Sequence, residues 1–266
     1  MRASLNLLRL PQIKNKTIII NTATLENKVT FILLVAILLA CTITADAQTV
    51  DEIIQKNITV NGGLDRWRKV NSMTITGSMN AAGQDMPVRI TALNKKGVRF
   101  EYSMNGMVGY SLLTDKNGWT LNRFAGQTKP VARSQEDVQQ SQDGLDIQGL
   151  LVDYKSKGHK VAYIGMDTIE GAECYKLQIT LSSGREETEF IDAASYYLIE
   201  AVRKIKTNEK ETVQVSRFGN YTTLDEGIVV PMLFSIGDLA FSLKTVEINK
   251  TIDEHIFQPD EVALKK

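Results

Sequence analysis

The run Met73-Thr74-Ile75-Thr76-Gly77-Ser78-Met79, with the later run Val98-Arg99-Phe100-Glu101-Tyr102-Ser103-Met104 and the segment 86–93 between them, decides the fold. In the first and last of these, apolar residues alternate with Thr, Ser, Arg and Glu. A period of two places the apolar set on one face of a pleated strand and the polar set on the other, so these strands have one wet side. Ala82-Gly83, Lys96-Gly97 and Asn105-Gly106 separate the runs. Such pairs make hairpin turns, and short connections make the neighbours antiparallel. Segments 108–114 and 119–124, joined by Asn117-Gly118, continue the series.

The pattern then changes. Ser134 with Asp137 three residues on is a helix-start signature, and Ile147, Leu150, Leu151 and Tyr154 recur at helical spacing, which predicts a helical insertion. A second series of extended segments follows at 160–166, 174–181, 186–192, 198–206, 211–221, 228–236 and 239–249. Upstream, Thr49 and Glu52 form a capping box for a helix whose stripe is Val50, Ile53, Ile54 and Ile58. Gly62-Gly63 ends it, and 64–70, with Trp67, adds one more helical turn. The expectation is an α+β fold: a strongly curved antiparallel β-sheet, a half-barrel of about 11 or 12 strands, with two or three helices covering its concave apolar face.

The chain has 266 residues, 43% of them hydrophobic and 23% charged, which is ordinary globular composition. Segment 29–41 is an almost purely apolar run of 13 residues between Lys28 and Ala45-Asp46-Ala47, the pattern of a secretory signal. As a helix it would span roughly 20 Å, short of the roughly 30 Å hydrocarbon core, so export rather than a permanent span is expected. Cleavage after Ala47 divides the chain into an export region, 1–47, and a single domain, 48–266. Cys41, after Leu38-Leu39-Ala40, is the alternative: the cleaved and acylated cysteine of a lipoprotein anchored in the outer membrane. Residues 1–47 hold five of the 31 basic and two of the 31 acidic side chains, leaving 48–266 at net −3. A slightly acidic body without a basic stripe excludes nucleic acid as a partner.

Little material for chemistry is present. The chain has two Cys and two His. His159, between Gly158 and Lys160, and His255, in a polar stretch, are expected in solvated loops, and Cys174 as a small buried residue entering a strand. No nucleotide-binding glycine pattern, His-Glu-x-x-His or paired-Cys motif occurs, so neither cofactor nor metal is expected. Glu186-Glu187 and Asp253-Glu254 are expected as solvated turn or edge charges, since adjacent strand residues point to opposite faces. No catalytic residue is assigned. The Met-rich strands (Met73, Met79, Met86, Met104, Met107, Met166, Met232) fit either an adaptable apolar surface or ordinary core filling.

The second half carries a family pattern: Tyr154-x3-Gly158-His159-Lys160-Val161, then Gly165, Gly171, Tyr175-Lys176-Leu177, Gly184 and Phe190-Ile191-Asp192. Later come Phe218-Gly219-Asn220-Tyr221, Asp225-Glu226-Gly227 running to Pro231, and Asn249-x7-Phe257-x-Pro259. Together with Gly62-Gly63 these resemble the LolA/LolB-like periplasmic lipoprotein carriers, the outer membrane lipoprotein-sorting superfamily. The resemblance implies a half-open barrel whose concave side, lidded by helices, holds the acyl chain of a lipid or lipoprotein in transfer across the periplasm to the outer membrane. The expectation is a binder rather than an enzyme, acting as a monomer on an acyl chain and in contact with envelope membrane proteins. Arg89 and Arg123, on strands, are expected to face outward into solvent. The lipid-cavity candidates are Ile75, Met79, Val88, Ile90, Phe100, Tyr102 and Leu112. The alternative is a sensory or partner-binding envelope module, in which the same half-barrel is plugged by its own side chains.

Overall fold

The Thr49 side chain accepts a hydrogen bond from the Glu52 backbone N–H at 3.3 Å, and the Glu52 carboxylate accepts one from the Thr49 N–H at 2.9 Å. With both reciprocal bonds made, α1 (Val50–Val60) starts where the capping box predicts. The computed structural model describes residues 49–81, 83–207 and 210–259; the segment expected to direct export, 1–47, and with it Cys41, lies outside them. At Gly62, with φ of +108°, a Cβ would stand 2.4 Å from the Gly227 carbonyl oxygen, so glycine alone lets the chain turn here into α2 (Leu64–Trp67).

Six strands follow: β1 (Ser72–Ala81), β2 (Gln84–Leu93), β3 (Gly97–Met104), β4 (Met107–Thr114), β5 (Gly118–Leu121) and β6 (Val131–Ala132). After α3 (Gln135–Ser141) come β7 (Lys160–Ile169), β8 (Ala172–Thr180), β9 (Glu186–Asp192), β10 (Leu198–Thr207), β11 (Lys210–Thr223), β12 (Val229–Ile236) and β13 (Leu239–Ile248). They form one open 13-stranded antiparallel sheet in the order β6-β5-β4-β3-β2-β1-β13-β12-β11-β10-β9-β8-β7. Two meanders are therefore joined where the first strand pairs with the last, from Met73 opposite Ile248 to Asn80 opposite Ala240. The strand absent from the sequence reading is β6, whose two residues are too few to show a period.

Cross-strand pairing carries one face through the sheet. Phe218, Phe234, Phe241 and Met79 share it, as do Ile75, Ile90 and Phe100 along a single row. Helix α1 lies on this inner face, its Ile53 and Ile54 packed with Leu177, Ile179 and Ile191, and α3 lies there through Val138 against Leu113. Burying such a side chain contributes about 1.5–3 kcal/mol. The sheet is sharply bent. Phe100 on β3 and Phe241 on β13 are three strands apart, about 14 Å in a flat sheet, yet their ring centroids are 6.2 Å apart. Gly77 sits between them with no side chain to obstruct the approach, beside a bulge where the β1–β13 register shifts.

The structure corrects two expectations. Segment 147–158 contains no α-helix; Gly149, Asp153 and Gly158 take positive φ, which an α-helix excludes. Leu151 and Val152 are nonetheless buried, so the helical spacing anticipated burial but not backbone. The polar face of β3 is not wet. Arg99 and Glu101 are 3% and 8% exposed, less than the half-buried Phe100 and Tyr102 on the inner face. The C-terminal 3-10 turn Glu254–Phe257 crosses this outer face, where Arg99 donates to the carbonyls of Ile256 (2.9 Å) and Gln258, pairs with Glu101 (3.0 Å) and stacks over Tyr110. A buried guanidinium needs all of these partners to offset its lost hydration.

Candidate functional site

A cavity of about 980 Å³ lies on the inner face, bounded by Val98, Phe100, Ser111 and Leu113 of β3 and β4, by α3, by the β8–β9 turn and by Arg203 to Ile205 of β10. That β3 and β10 line one space, six strands apart in the sheet order, is the curvature expressed as volume. A smaller cavity of about 360 Å³ lies between α1, segment 147–152 and the strands β9 to β12; Ile58, Trp67, Leu198, Phe218 and Val230 supply its apolar wall. Rings connect the two regions. Phe100 meets Phe241 edge-on, Phe241 stacks on Phe234 at 4.5 Å, and Phe234 neighbours Phe218 at 6.5 Å, so the row runs from one cavity to the other. Tyr102 extends it toward Phe124, and burial raises the Tyr102 hydroxyl above its usual pKa.

Six of the seven cavity candidates share the inner face: Ile75, Ile90 and Phe100 in one row, Val88 opposite Tyr102, and Met79 opposite Met86. Met79 and Val88 are buried, whereas Ile75, Ile90, Phe100 and Tyr102 remain half-buried. Leu112 is a correction. It pairs with Arg99, is fully buried, and packs with Tyr110, Leu121 and Phe257 on the outer face. In β4 the alternating set Val108, Tyr110 and Leu112 is the one turned away from the cavity.

The inner face also holds charges that the sequence reading missed. Glu187 and Glu189, two apart on β9, share the face of Ile191 and are 4% and 6% exposed, not solvated as expected for the Glu186-Glu187 pair. Arg203 of β10, opposite Glu187, brings Nη2 to 3.2 Å from its carboxylate. Neither Glu187 Oε2 nor Glu189 Oε2 has a hydrogen-bond partner among the described residues, but Glu187 has its ion pair with Arg203, whereas Glu189 lines the 360 Å³ cavity. Burial, and then the charge of Glu187, push its pKa up to about 8, with Arg203 pulling the other way. Tyr221, stacked on Tyr197 at 4.2 Å, closes the same corner; burial and Glu189 push its hydroxyl upward. The signal was present: Glu187, Glu189 and Ile191 are spaced by two, so acids share a face with a core residue.

Helix α1 is tied to the rim by Asp51, which accepts from Tyr154 and Lys155, while Arg68 pairs with Asp153. These pairs are largely exposed and screened by solvent, so they orient the helix more than they stabilise it. His159, expected in a solvated loop, is buried: Nδ1 accepts from the Ser182 N–H at 3.1 Å, and burial lowers its pKa. His255 and Arg89 are exposed, Cys174 is buried, and Arg123 lies in a 3-10 turn rather than a strand. No cluster of metal-ligating side chains occurs among the described residues.

No family model matches the sequence, and no curated protein matches it. A LolA superfamily protein from Nitrosomonas europaea superposes with a TM-score of 0.52 at 10% identity, over 80% of this chain and 98% of that one. The fold is LolA-like. A DUF1329 family protein from Desulfovibrio piger is similar with a TM-score of 0.51 at 12% identity, again over 80% and 98%. At such identities the likeness is one of architecture, so what the LolA-like fold does in this chain has to come from its own side chains.

Proposed function

We propose that residues 48–266 are an exported, non-enzymatic carrier of acyl chains that moves a lipid or lipoprotein through the periplasm toward the outer membrane. The observation carrying this reading is the inverted burial of β3, whose outward Arg99 and Glu101 are sealed while the inward Phe100 and Tyr102 stay half-buried, with Phe100 lining the 980 Å³ cavity. A packed core would bury the apolar face first. Pockets of about 300–1,000 Å³ suit small ligands, and the inner cavities fall in that range. Each buried methylene contributes about 0.8 kcal/mol, so a long chain gains on the order of 10 kcal/mol before ordering losses. Export by the 29–41 segment, or anchoring through Cys41, places the carrier in the envelope.

The test is native mass spectrometry of the protein purified without detergent, followed by solvent extraction. A stoichiometric lipid or acylated peptide is expected, and Phe100→Asp should lose it while remaining folded. An apo mass with no uptake of offered acyl ligands overturns the carrier reading. One feature favours the second reading, a partner-binding module: the edge strand β7 leaves Tyr163, Ile164 and Met166 37–50% exposed. Crosslinking in the envelope would then name the partner.

A further inference from the structure

The apolar wall of the 360 Å³ cavity is interrupted by one acid. Glu189 is more than nine-tenths buried, lies on the inner face, and has an oxygen without a partner. A buried polar atom left unpaired is costly, and a cavity is the place where a ligand can supply the missing bond. Ion pairing is already committed elsewhere, because Arg203 stands against Glu187. The other polar side chains lining the cavity are already engaged: the Tyr221 hydroxyl donates to the Leu198 carbonyl, the Asn57 amide to the Tyr196 carbonyl at 2.8 Å, the Asn61 amide to the Asn57 carbonyl, and the Gln148 amide to the Arg68 and Val70 carbonyls.

We propose that Glu189 is the polar end of the acyl site and donates a hydrogen bond to the uncharged carbonyl, ester or amide, that heads the ligand's chain. This rests on the acyl-binding reading above. A protonated carboxyl carries one O–H donor, which a carbonyl oxygen accepts, whereas a fatty-acid carboxylate would sit beside Glu187 in a water-poor site and be repelled. The site therefore selects acyl groups in covalent linkage over free fatty-acid anions. The pKa of about 8 keeps the donor proton in place at neutral pH. Glu187 of β9, Arg203 of β10 and Tyr221 of β11 are the titratable or charged groups that act with it, and Tyr197, just before β10, stacks on Tyr221. Helix α1 and segment 147–152 present Asn57, Asn61 and Gln148, which do not titrate.

Trp67 lines the cavity, so its fluorescence reports occupancy. The purified protein is titrated with dodecanamide, methyl dodecanoate and sodium dodecanoate, which share one chain and differ in the head. At pH 7 the two neutral heads should bind about tenfold tighter than the anion, the weight of one hydrogen bond plus one avoided repulsion. Their affinity should fall as pH rises beyond about 8, because the ionised carboxylate has no proton to donate. Glu189→Leu should abolish the preference while still binding acyl chains. Glu189→Gln, which keeps an N–H donor, should retain neutral-head binding and lose the pH dependence. The ratio of amide to ester affinity names the linkage. If the wild type binds all three equally and Glu189→Leu changes nothing, the head-group assignment is overturned and the acyl reading stands. Binding of none of the three overturns both.

Discussion

Glu189 gives the protein a stability signature independent of any ligand. In the unfolded chain its carboxyl ionises near its ordinary value of 4.5, whereas the folded protein holds the proton until about pH 8. Between these values the native state binds more protons than the unfolded state, so this group's contribution is intact below pH 4.5 and drains away as pH rises toward 8. The shift corresponds to about 5 kcal/mol at most. Glu189→Gln should therefore be more stable than the wild type by several kcal/mol at pH 8 and nearly equal to it at pH 4, compared by urea midpoints. Parallel profiles for the two proteins would mean that Glu189 ionises freely in the fold. The buried acid and Leu112 illustrate the same obstacle to reading a site from sequence. Alternation tells which residues of a strand share a face, but the partner strand and the cover over each face decide which face is inside. Both β4, whose apolar set is turned outward, and β9, whose acids are turned inward, defeat an assignment made one strand at a time.

At the scale of elements the sequence was more legible. Every expected strand exists within a few residues, and the capping box of α1 is built as the side chains demand. Turn glycines and period-two alternation are local, so they survive without knowledge of the fold. The helix expected around Leu150 failed because a hydrophobic spacing of three and four can be met by a winding loop that lays the same residues on the same floor. Curvature was not legible in detail, since the register shift and close approach at Gly77 arise only where two strands distant in sequence meet. A Cβ on Gly77 would lie 2.2 Å from the Ser242 carbonyl oxygen. Gly77→Ala should thus cost about 1–3 kcal/mol and spread β1 from β13, separating the Phe100 and Phe241 rings. Thermal unfolding measures the cost, and acyl affinity measures the opening. A variant with wild-type stability would show that the bend is set elsewhere.

For the whole molecule, the sheet order separates what is local from what is distant. Within each meander, successive strands pair through short turns, whereas the seam joins Met73 to Ile248 across 175 positions. Closing so long a loop costs more entropy than closing a hairpin, and it slows the step that depends on it. Pulse-labelling hydrogen exchange during refolding should find the amides shared by β1 and β13 among the last to gain protection; early protection there would contradict two independent half-sheets. The seam also sets a timetable for a chain that is made, or threaded through a membrane, from its N-terminus. The first half-sheet must wait with the far edge of β1 unpaired until residues 239–248 emerge, and during that wait this open edge is the place where a neighbouring chain can mispair and where a chaperone has a strand to hold.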